Sequence, residues 1–165
     1  GMVRHKGQKE TDAGQYDQDE PLVSSDDVFM LVRREVYEKV GGYDTNFFIQ
    51  GEQWDWQERA KQHGFKVYYS AGARIWHKES MTIGRTSAFK LFYDLRNNLI
   101  VIFKHKSPSQ FARYFWKSFR EQFVLGSIKH LLKGRFKLAY FSVTGFLSGL
   151  AWVFRSRNIT IRHFL

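Results

Sequence analysis

A chain of 165 residues with 43% hydrophobic residues and only two prolines can bury the core of one domain, so a fully disordered protein is excluded. It contains no cysteine, which excludes a disulfide framework and favours a reducing compartment. The net charge of +10 is concentrated at one end: residues 1–103 hold 14 Lys/Arg and 15 Asp/Glu, whereas residues 104–165 hold 12 Lys/Arg and one acid, Glu121.

The first third of the chain alternates between polar segments and short elements. Residues 1–24 are polar and contain glycines, which predicts a linker. The apolar run 28–32 is short and bounded by charges, which predicts a buried strand. Residues 35–40 predict a short helix that ends at Gly41 and Gly42.

A helix is predicted from Glu52 to about His63, and Gly64 is a good residue to follow its last turn. Acids in its first turn suit the positive end of the helix dipole. Asp55 and Arg59 are four positions apart and can pair on one face. Alternating residues at 66–70 and 73–78 predict two strands, followed by a loop and a helix over 88–105.

The basic end of the chain predicts two more helices, at 108–132 and 136–154. The first carries phenylalanines four positions apart, and Ser107 and Pro108 are favourable starting residues. Residues 138–154 hold no charge, but seventeen residues are at the lower limit for crossing a bilayer. A helix lying on a membrane or on the protein's own core is favoured over a membrane span.

The net charge of +11 over residues 104–165, together with their aromatic residues, favours an anionic partner. An anionic membrane surface fits best, with contacts expected from Trp116 and from four phenylalanines: Phe111, Phe115, Phe119 and Phe123. Nucleic acid is not expected, because no nucleic-acid-binding motif accompanies the charge.

Polar and aromatic residues that could form a site cluster at the start of the second predicted helix. Glu52 and Asp55 lie on adjacent turns, and either could act as a general base or serve a structural role. His77 could be a metal ligand or a hydrogen-bonded strand residue. Trp54 and Trp76 could bind sugars or belong to the core. Spacing alone favours the structural alternative in each case.

The order of these motifs resembles that in the C-terminal half of family-2 glycosyltransferases, and most of all their rhamnosyltransferase-type branch. The resemblance rests on an ordered series of segments: 29–36, Val40-Gly41-Gly42-Tyr43-Asp44, Phe47-Phe48, Gly51-Glu52-Gln53-Trp54-Asp55-Trp56, Arg59-Ala60, Gly64-Phe65, Ala73-Arg74-Ile75-Trp76-His77-Lys78, and Tyr93 with Arg96-Asn97-x-Leu99.

This resemblance implies a fold class of α/β to α+β, as the C-terminal portion of a GT-A fold, and an inverting sugar transfer. The donor would be a nucleotide-sugar and the acceptor a saccharide or a lipid-linked molecule. A divalent metal, Mg or Mn, would neutralise the leaving diphosphate. A carboxylate from an acidic pair at the start of a helix would take the acceptor proton.

Matched position by position, the resemblance implies that His77 is a metal ligand and that Glu52 and Gln53 occupy the acidic pair. The second of these positions usually supplies the base, and the amide of Gln53 cannot accept the proton. Either Asp55 or Glu52 has taken this role, with Asp55 slightly favoured, or the chain is catalytically impaired.

Three further residues are implied to bind substrate. Trp54 and Trp76 would line the acceptor side, since aromatic faces pack on the C–H surfaces of sugars. Arg96 could meet the diphosphate, or it could be a structural partner.

The domain prediction is a linker at 1–24, the acceptor-side half of a GT-A catalytic domain at 25–105, and a basic aromatic helical tail at 106–165. An Asp-x-Asp motif following a strand is lacking, so we expect a partial glycosyltransferase that is inactive alone. The alternative is a non-catalytic membrane-surface module that uses the tail. Either role would place the chain in the cytoplasm, peripheral at the inner face of the membrane.

Overall fold

The computed structural model describes residues 6–8, 10–76 and 87–162. For residues 157–162 it describes the backbone alone. The described chain is mostly helical, with one two-stranded sheet. Its elements are β1 (Glu20–Leu22), a 3-10 helix (Asp27–Phe29), α1 (Arg34–Val40), α2 (Glu52–Gln62), β2 (Val67–Tyr69), α3 (Ala88–His105), α4 (Pro108–Ser118), a π-helical segment (Phe119–Gly126), α5 (Ser127–Leu132) and α6 (Phe136–Arg162).

The small sheet joins the polar leading segment to the middle of the chain. β1 pairs antiparallel with β2, with Glu20 opposite Tyr69 and Leu22 opposite Val67. The strand predicted at 66–70 is therefore confirmed, and its partner lies inside the predicted linker. The boundaries of the three predicted domains stay predictions.

The strand predicted at 28–32 is wrong. The chain instead forms the 3-10 helix and then an extended segment in which Leu31 is 100% exposed. Met30 and Val32 pack against the buried Val36 and Trp56, so alternating burial is present without strand pairing. A short apolar run indicates that a segment contacts a core, and it does not supply the neighbouring strand that a sheet requires.

The second predicted strand is also absent over 73–76, where Ile75 and Trp76 are exposed and no pairing occurs. Residues 77 and 78 of that prediction lie outside the described residues.

The helices of the first half agree with the predictions. α1 and α2 begin and end within one or two residues of the expected positions, and α3 spans the predicted 88–105. Ser87 caps α3 by accepting a hydrogen bond from the Lys90 backbone N–H at 3.0 Å. Leu95 and Leu99 lie on the buried face of α3, as their helical spacing predicts.

The helix predicted at 108–132 is helical throughout but contains the π-helical segment. A capping box between Ser107 and Gln110 starts it. In the π-helical segment the carbonyl of Gln122 accepts a hydrogen bond from Ser142 Oγ of α6 at 3.1 Å. This bond ties the segment to the last helix.

The last helix, α6, is longer than predicted and packs closely on α3. A Cβ added at Gly145 would lie 2.6 Å from the Phe92 carbonyl oxygen, and one at Gly149 would lie 2.7 Å from that of Arg96. Only glycine allows the two backbones to approach this closely. Within α6, Phe136–Ser156 is long and apolar enough to cross a membrane, with a mean hydropathy of 1.3, but such a helix can equally be a core helix.

Candidate functional site

The loop that enters α2 has an unusual backbone. Gln50 has a φ of 68° and Gly51 a φ of 94°, so two consecutive residues lie in the left-handed region. That region is uncommon for a non-glycine residue. The buried Asn97 of α3 holds the loop there, because its Nδ2 donates to the carbonyls of Ile49 at 2.8 Å and Gln50 at 2.6 Å. Strain held by the surrounding structure is frequent at functional sites.

A cleft of about 590 Å³ opens beside this loop, and we call it the first cleft. Gln53 and Trp54 of α2 form one wall, and Asp94 and Asn98 of α3 form another. Residues from the leading segment and β2 complete it: Lys6, Gly7, Glu10, Asp12, Tyr16, Glu20, Leu22, Ser24, Ser25, Asp26 and Tyr69, with Gln50 and Gly51 of the loop.

Hydrogen bonds from side chains of α2 hold the leading segment against the first cleft. The side chain of Gln57 is buried, donates to the Ser25 carbonyl at 2.7 Å and accepts from the Ser25 backbone N–H at 2.8 Å. Lys61 Nζ donates to the Val23 carbonyl at 3.0 Å. The cleft wall at 23–26 is thus positioned by side chains more than thirty residues away in sequence.

The two residues at the start of α2 carry polar atoms that are buried without a partner. Glu52 Oε2 and Gln53 Oε1 have no hydrogen-bond partner among the described residues. Burial raises the pKa of the Glu52 carboxyl, and the nearby Asp27 charge adds to the effect. Gln53 lines the first cleft, whereas Glu52 lies at the adjacent position outside its wall.

Asp55 lies in a different environment, fully buried between α2 and the end of α3. Its Oδ2 accepts from Arg59 Nε at 3.0 Å, which confirms the predicted pair, and its Oδ1 contacts Lys104 Nζ at 2.5 Å and His105 Nε2 at 2.8 Å. Burial alone would raise the pKa of Asp55, but the hydrogen bonds from His105, Lys104 and Arg59 outweigh it and hold the pKa well below its usual range.

The same charge network extends to the loop before α2. Lys104 also pairs with Asp44 at 2.7 Å and lies over the ring of Phe47 at 5.4 Å. Arg59 donates to the carbonyls of Val40 and Gly42, both at 2.7 Å. Asp55 is therefore the centre of a structural network, and its carboxylate does not line the first cleft.

The predicted substrate-binding residues lie in three different places. Trp54 lines the first cleft and packs against the buried Ile100 and Val101. Trp76 is 94% exposed and outside the cleft wall. Arg96 is half-buried and donates to the Asn46 carbonyl at 2.9 Å and to Asn97 Oδ1 at 2.5 Å, which is a structural arrangement. Burial lowers the pKa of Arg96.

The predicted metal ligand, His77, lies outside the described residues. Over residues 10–76 and 87–156, no group of three or more His, Cys, Asp or Glu side chains is arranged to hold a metal ion.

Sequence reasoning missed Asn97, Gln57 and Asp94 as residues that shape the cleft. A signal existed for Asn97, because an amide at this position shares a helical face with the apolar Ile100 and Val101, three and four residues on. A buried amide must be hydrogen-bonded, so such a residue is expected to anchor a neighbouring segment. No comparable signal marks Gln57 in the mostly polar α2.

Comparisons with known proteins identify the family of this chain. No curated protein and no solved structure matches the chain significantly. A family model described as "Glycosyltransferase like family 2" matches residues 8–123, which include β1, β2, α1 to α4 and every residue of the first cleft except Lys6 and Gly7. Because this match covers more than half of the chain, the protein belongs to the glycosyltransferase-like family 2.

Proposed function

We propose that the first cleft is the acceptor side of an inverting sugar transfer from a nucleotide-sugar to a hydroxyl. Membership of the family suggests glycosyl transfer, with a nucleotide-sugar donor and an acceptor in general. The mostly helical architecture with its two-stranded sheet is compatible with part of an α/β glycosyltransferase domain. The observation that carries the proposal is the first cleft at the start of α2, where a strained loop meets the unpartnered Oε1 of Gln53, with the unpartnered Oε2 of Glu52 at the adjacent position.

Glu52 is the better candidate for the general base. A base must hold a free lone pair and a pKa near the working pH, and the raised pKa of Glu52 moves it in that direction. Asp55 is disfavoured because three cationic or hydrogen-bonding partners occupy its oxygens and lower its pKa. The slight preference for Asp55 drawn from the sequence is therefore reversed.

Gln53 and Trp54 would orient the acceptor. The free Oε1 of Gln53 can accept a hydrogen bond from a sugar hydroxyl, and its amide cannot take the proton. The Trp54 ring provides an apolar wall for the C–H face of a sugar. Glu52 would then act as the base from the position adjacent to this wall. The competing candidate for the base is Asp94, whose carboxylate lies in the wall itself.

The finer features of the proposal come from the resemblance. They are the GT-A fold, the rhamnosyltransferase-type branch, a saccharide or lipid-linked acceptor, and a donor-binding half that carries Asp-x-Asp. His77 would give one nitrogen ligand to a divalent Mg or Mn ion, which would neutralise the diphosphate. Trp76 stays a proposed acceptor contact.

The test joins the chain to a donor-binding half and measures the hydrolysis of nucleotide-sugars. We expect Glu52→Gln to lower kcat by 10²-fold or more, since general bases contribute about 10²–10⁴-fold. Asp94→Asn should lower it by less than about tenfold. If Asp94→Asn abolishes turnover and Glu52→Gln does not, the base assignment is wrong.

Gln53→Glu is the complementary variant. It restores the residue type expected at the second position of the acidic pair. A gain in turnover would mean that the natural chain is impaired, and no gain would support Glu52 as the residue that already serves.

A second candidate function is binding to an anionic membrane surface at the inner face of the cytoplasmic membrane. The exposed apolar residues of the tail favour it: Trp116 is 65% and Leu132 83% exposed, close in sequence to Lys117 and Lys133. Phe115, Phe119 and Phe123 are half-buried and pack against Phe146 of α6 with tilted rings, so only part of each ring is open to a membrane.

Phe111 likewise packs, against Phe103 of α3, with ring centroids 5.4 Å apart. Flotation with vesicles tests the membrane candidate. Binding that ignores the content of anionic lipid would count against it.

A further inference from the structure

A second cleft, of about 860 Å³, lies between α3, the π-helical segment and α5, on the other side of Asp94 and Asn98 from the first cleft. Its rim is basic: Lys129, His130, Lys133 and Arg135 all line it. Neither the proposed sugar transfer nor the proposed membrane binding uses this cleft.

The cations of the second cleft are not neutralised. Among the described residues, none of Lys129, Lys133 and Arg135 makes an ion pair with a carboxylate. The two acids in the wall already have other partners, since Asp94 pairs with Lys90 at 2.8 Å and Glu121 with Arg120 at 3.1 Å. The cleft therefore carries an excess of positive charge.

One further polar atom in the wall lacks a partner. His130 Nδ1 is buried, and no hydrogen-bond partner is found for it among the described residues. Buried polar groups are normally hydrogen-bonded, so an orphan atom inside a basic cleft calls for a ligand group. The wall also includes part of the π-helical segment, a structure found frequently at functional sites.

The shape and the remaining walls restrict the ligand. A cleft of about 860 Å³ is far larger than a single phosphate group, and Leu91, Leu95 and Leu125 give it an apolar side. A ligand that combines an anionic head with a hydrocarbon or sugar portion matches both features. Lys, Arg and His donors favour phosphate oxygens.

We propose that the second cleft binds the phosphate group of a phosphate ester, with the apolar portion of that ligand on Leu91, Leu95 and Leu125. Asp94 and Asn98 line both clefts, so a ligand held here reaches the wall of the first cleft. If the proposed sugar transfer also holds, the ligand would be a lipid-linked acceptor whose saccharide portion lies towards the first cleft. The binding itself does not depend on that function.

The test uses the chain alone and two probes, inorganic pyrophosphate and phosphatidylcholine vesicles with or without phosphatidic acid. Calorimetry measures the first and flotation the second, both at low salt because exposed charges are screened. The variant Lys129→Ala/Lys133→Ala/Arg135→Ala removes three cations from the rim. A matched control, Arg113→Ala/Lys137→Ala/Arg155→Ala, removes three exposed cations of the same tail that do not line the cleft.

We expect the cleft variant to bind at least about tenfold more weakly and the control to stay within about twofold, since only the cleft variant removes charged donors that line the cleft. If the chain binds pyrophosphate but not phosphatidic acid, the natural ligand of the second cleft is a free phosphate compound. Binding to phosphatidic acid vesicles that the cleft variant loses would indicate a lipid headgroup.

Equal weakening in the two triple variants would overturn the proposal in favour of diffuse charge attraction. Absence of saturable binding to both probes would overturn it as well. Because no nucleotide-sugar is present in either assay, these outcomes are independent of whether the first cleft supports sugar transfer.

Discussion

The helices α2 and α6 are held in the structure by opposite means. α2 is mostly polar, yet it buries Asp55, Gln57 and Glu58 through hydrogen bonds and ion pairs with distant segments. α6 is mostly apolar, yet its Leu147 and Phe154 are exposed. It packs on α3 by close backbone approach.

This difference shows that average hydrophobicity does not decide how deeply a helix is buried. A polar helix can enter a core when each buried group has a partner, and Asp55 has three. An apolar helix can leave one face exposed when a glycine-containing face already supplies its packing. Five predictions test or extend this contrast, in order of the expected effect on stability.

Asp55→Ala should give the largest effect, because it leaves Lys104 and Arg59 without their buried partner. Loss of one member of a buried pair costs about 3–5 kcal/mol. Chemical denaturation should show this loss in the free energy of unfolding. The matched control is Glu35→Ala, which breaks an exposed contact with Arg33 at 3.4 Å and should cost less than about 0.5 kcal/mol.

The same network predicts a pH dependence. The pKa of Asp55 is lower in the folded than in the unfolded protein, so its contribution to stability is fully present above the unfolded pKa of about 3.9. That contribution is lost as the pH falls below about 4. A wild-type protein that loses no more stability than Asp55→Ala between pH 5 and pH 3 would contradict the assigned role.

Gly145→Ala and Gly149→Ala should each destabilise the protein by about 1–3 kcal/mol, because the new methyl groups would press on the backbone of α3. Elsewhere in a helix the same change usually stabilises by about 1 kcal/mol. Gly126→Ala is the control, since its Cβ would lie 3.4 Å from the Glu121 carbonyl, an ordinary contact. Thermal unfolding of the three variants gives the comparison, and equal melting temperatures would refute the close-packing argument.

Glu52→Gln should stabilise the protein slightly at pH 7, because it removes a charge whose burial raises the pKa of the carboxyl. The folded state with Glu52 holds its proton more tightly than the unfolded state does. The contribution of the Glu52 carboxyl to the stability of the wild-type protein is therefore greatest below its unfolded pKa. That contribution declines as the pH rises through the folded pKa. The gain in melting temperature caused by Glu52→Gln should disappear near pH 4. A gain that does not change with pH would contradict its assignment to the buried charge of Glu52.

Trp116→Ser should change the free energy of unfolding by less than about 0.5 kcal/mol, because the side chain is largely exposed. Phe119→Ser, which removes a ring stacked inside the tail, is the contrasting variant and should destabilise clearly. If the tail binds membranes, Trp116→Ser should weaken flotation while the melting temperature stays unchanged. A large loss of stability would mean that Trp116 belongs to the core.

Helices were predictable from this sequence, whereas strands and site roles were less so. The helical spacing of Leu95 and Leu99 placed α3 correctly, since periodicity reflects a local backbone geometry. The apolar run at 28–32 suggested a strand that needed a distant partner, and no strand among the described residues pairs with it. Gln53 and Trp54 were identified as site residues and do line the first cleft, whereas Asp55 could be separated from Glu52 only by its contacts with α3.

The sequence by itself determined the family through its ordered motifs, the helix positions through periodicity and capping residues, and the basic character of the tail through composition. The tertiary structure alone decided which carboxylate is free, because Lys104 and His105 lie about fifty residues from Asp55. It also decided that Phe115, Phe119 and Phe123 pack on Phe146 and that two clefts share the wall of Asp94 and Asn98. Contacts between residues far apart in the chain fix the environment of each side chain, and that environment sets its pKa and its access to a ligand.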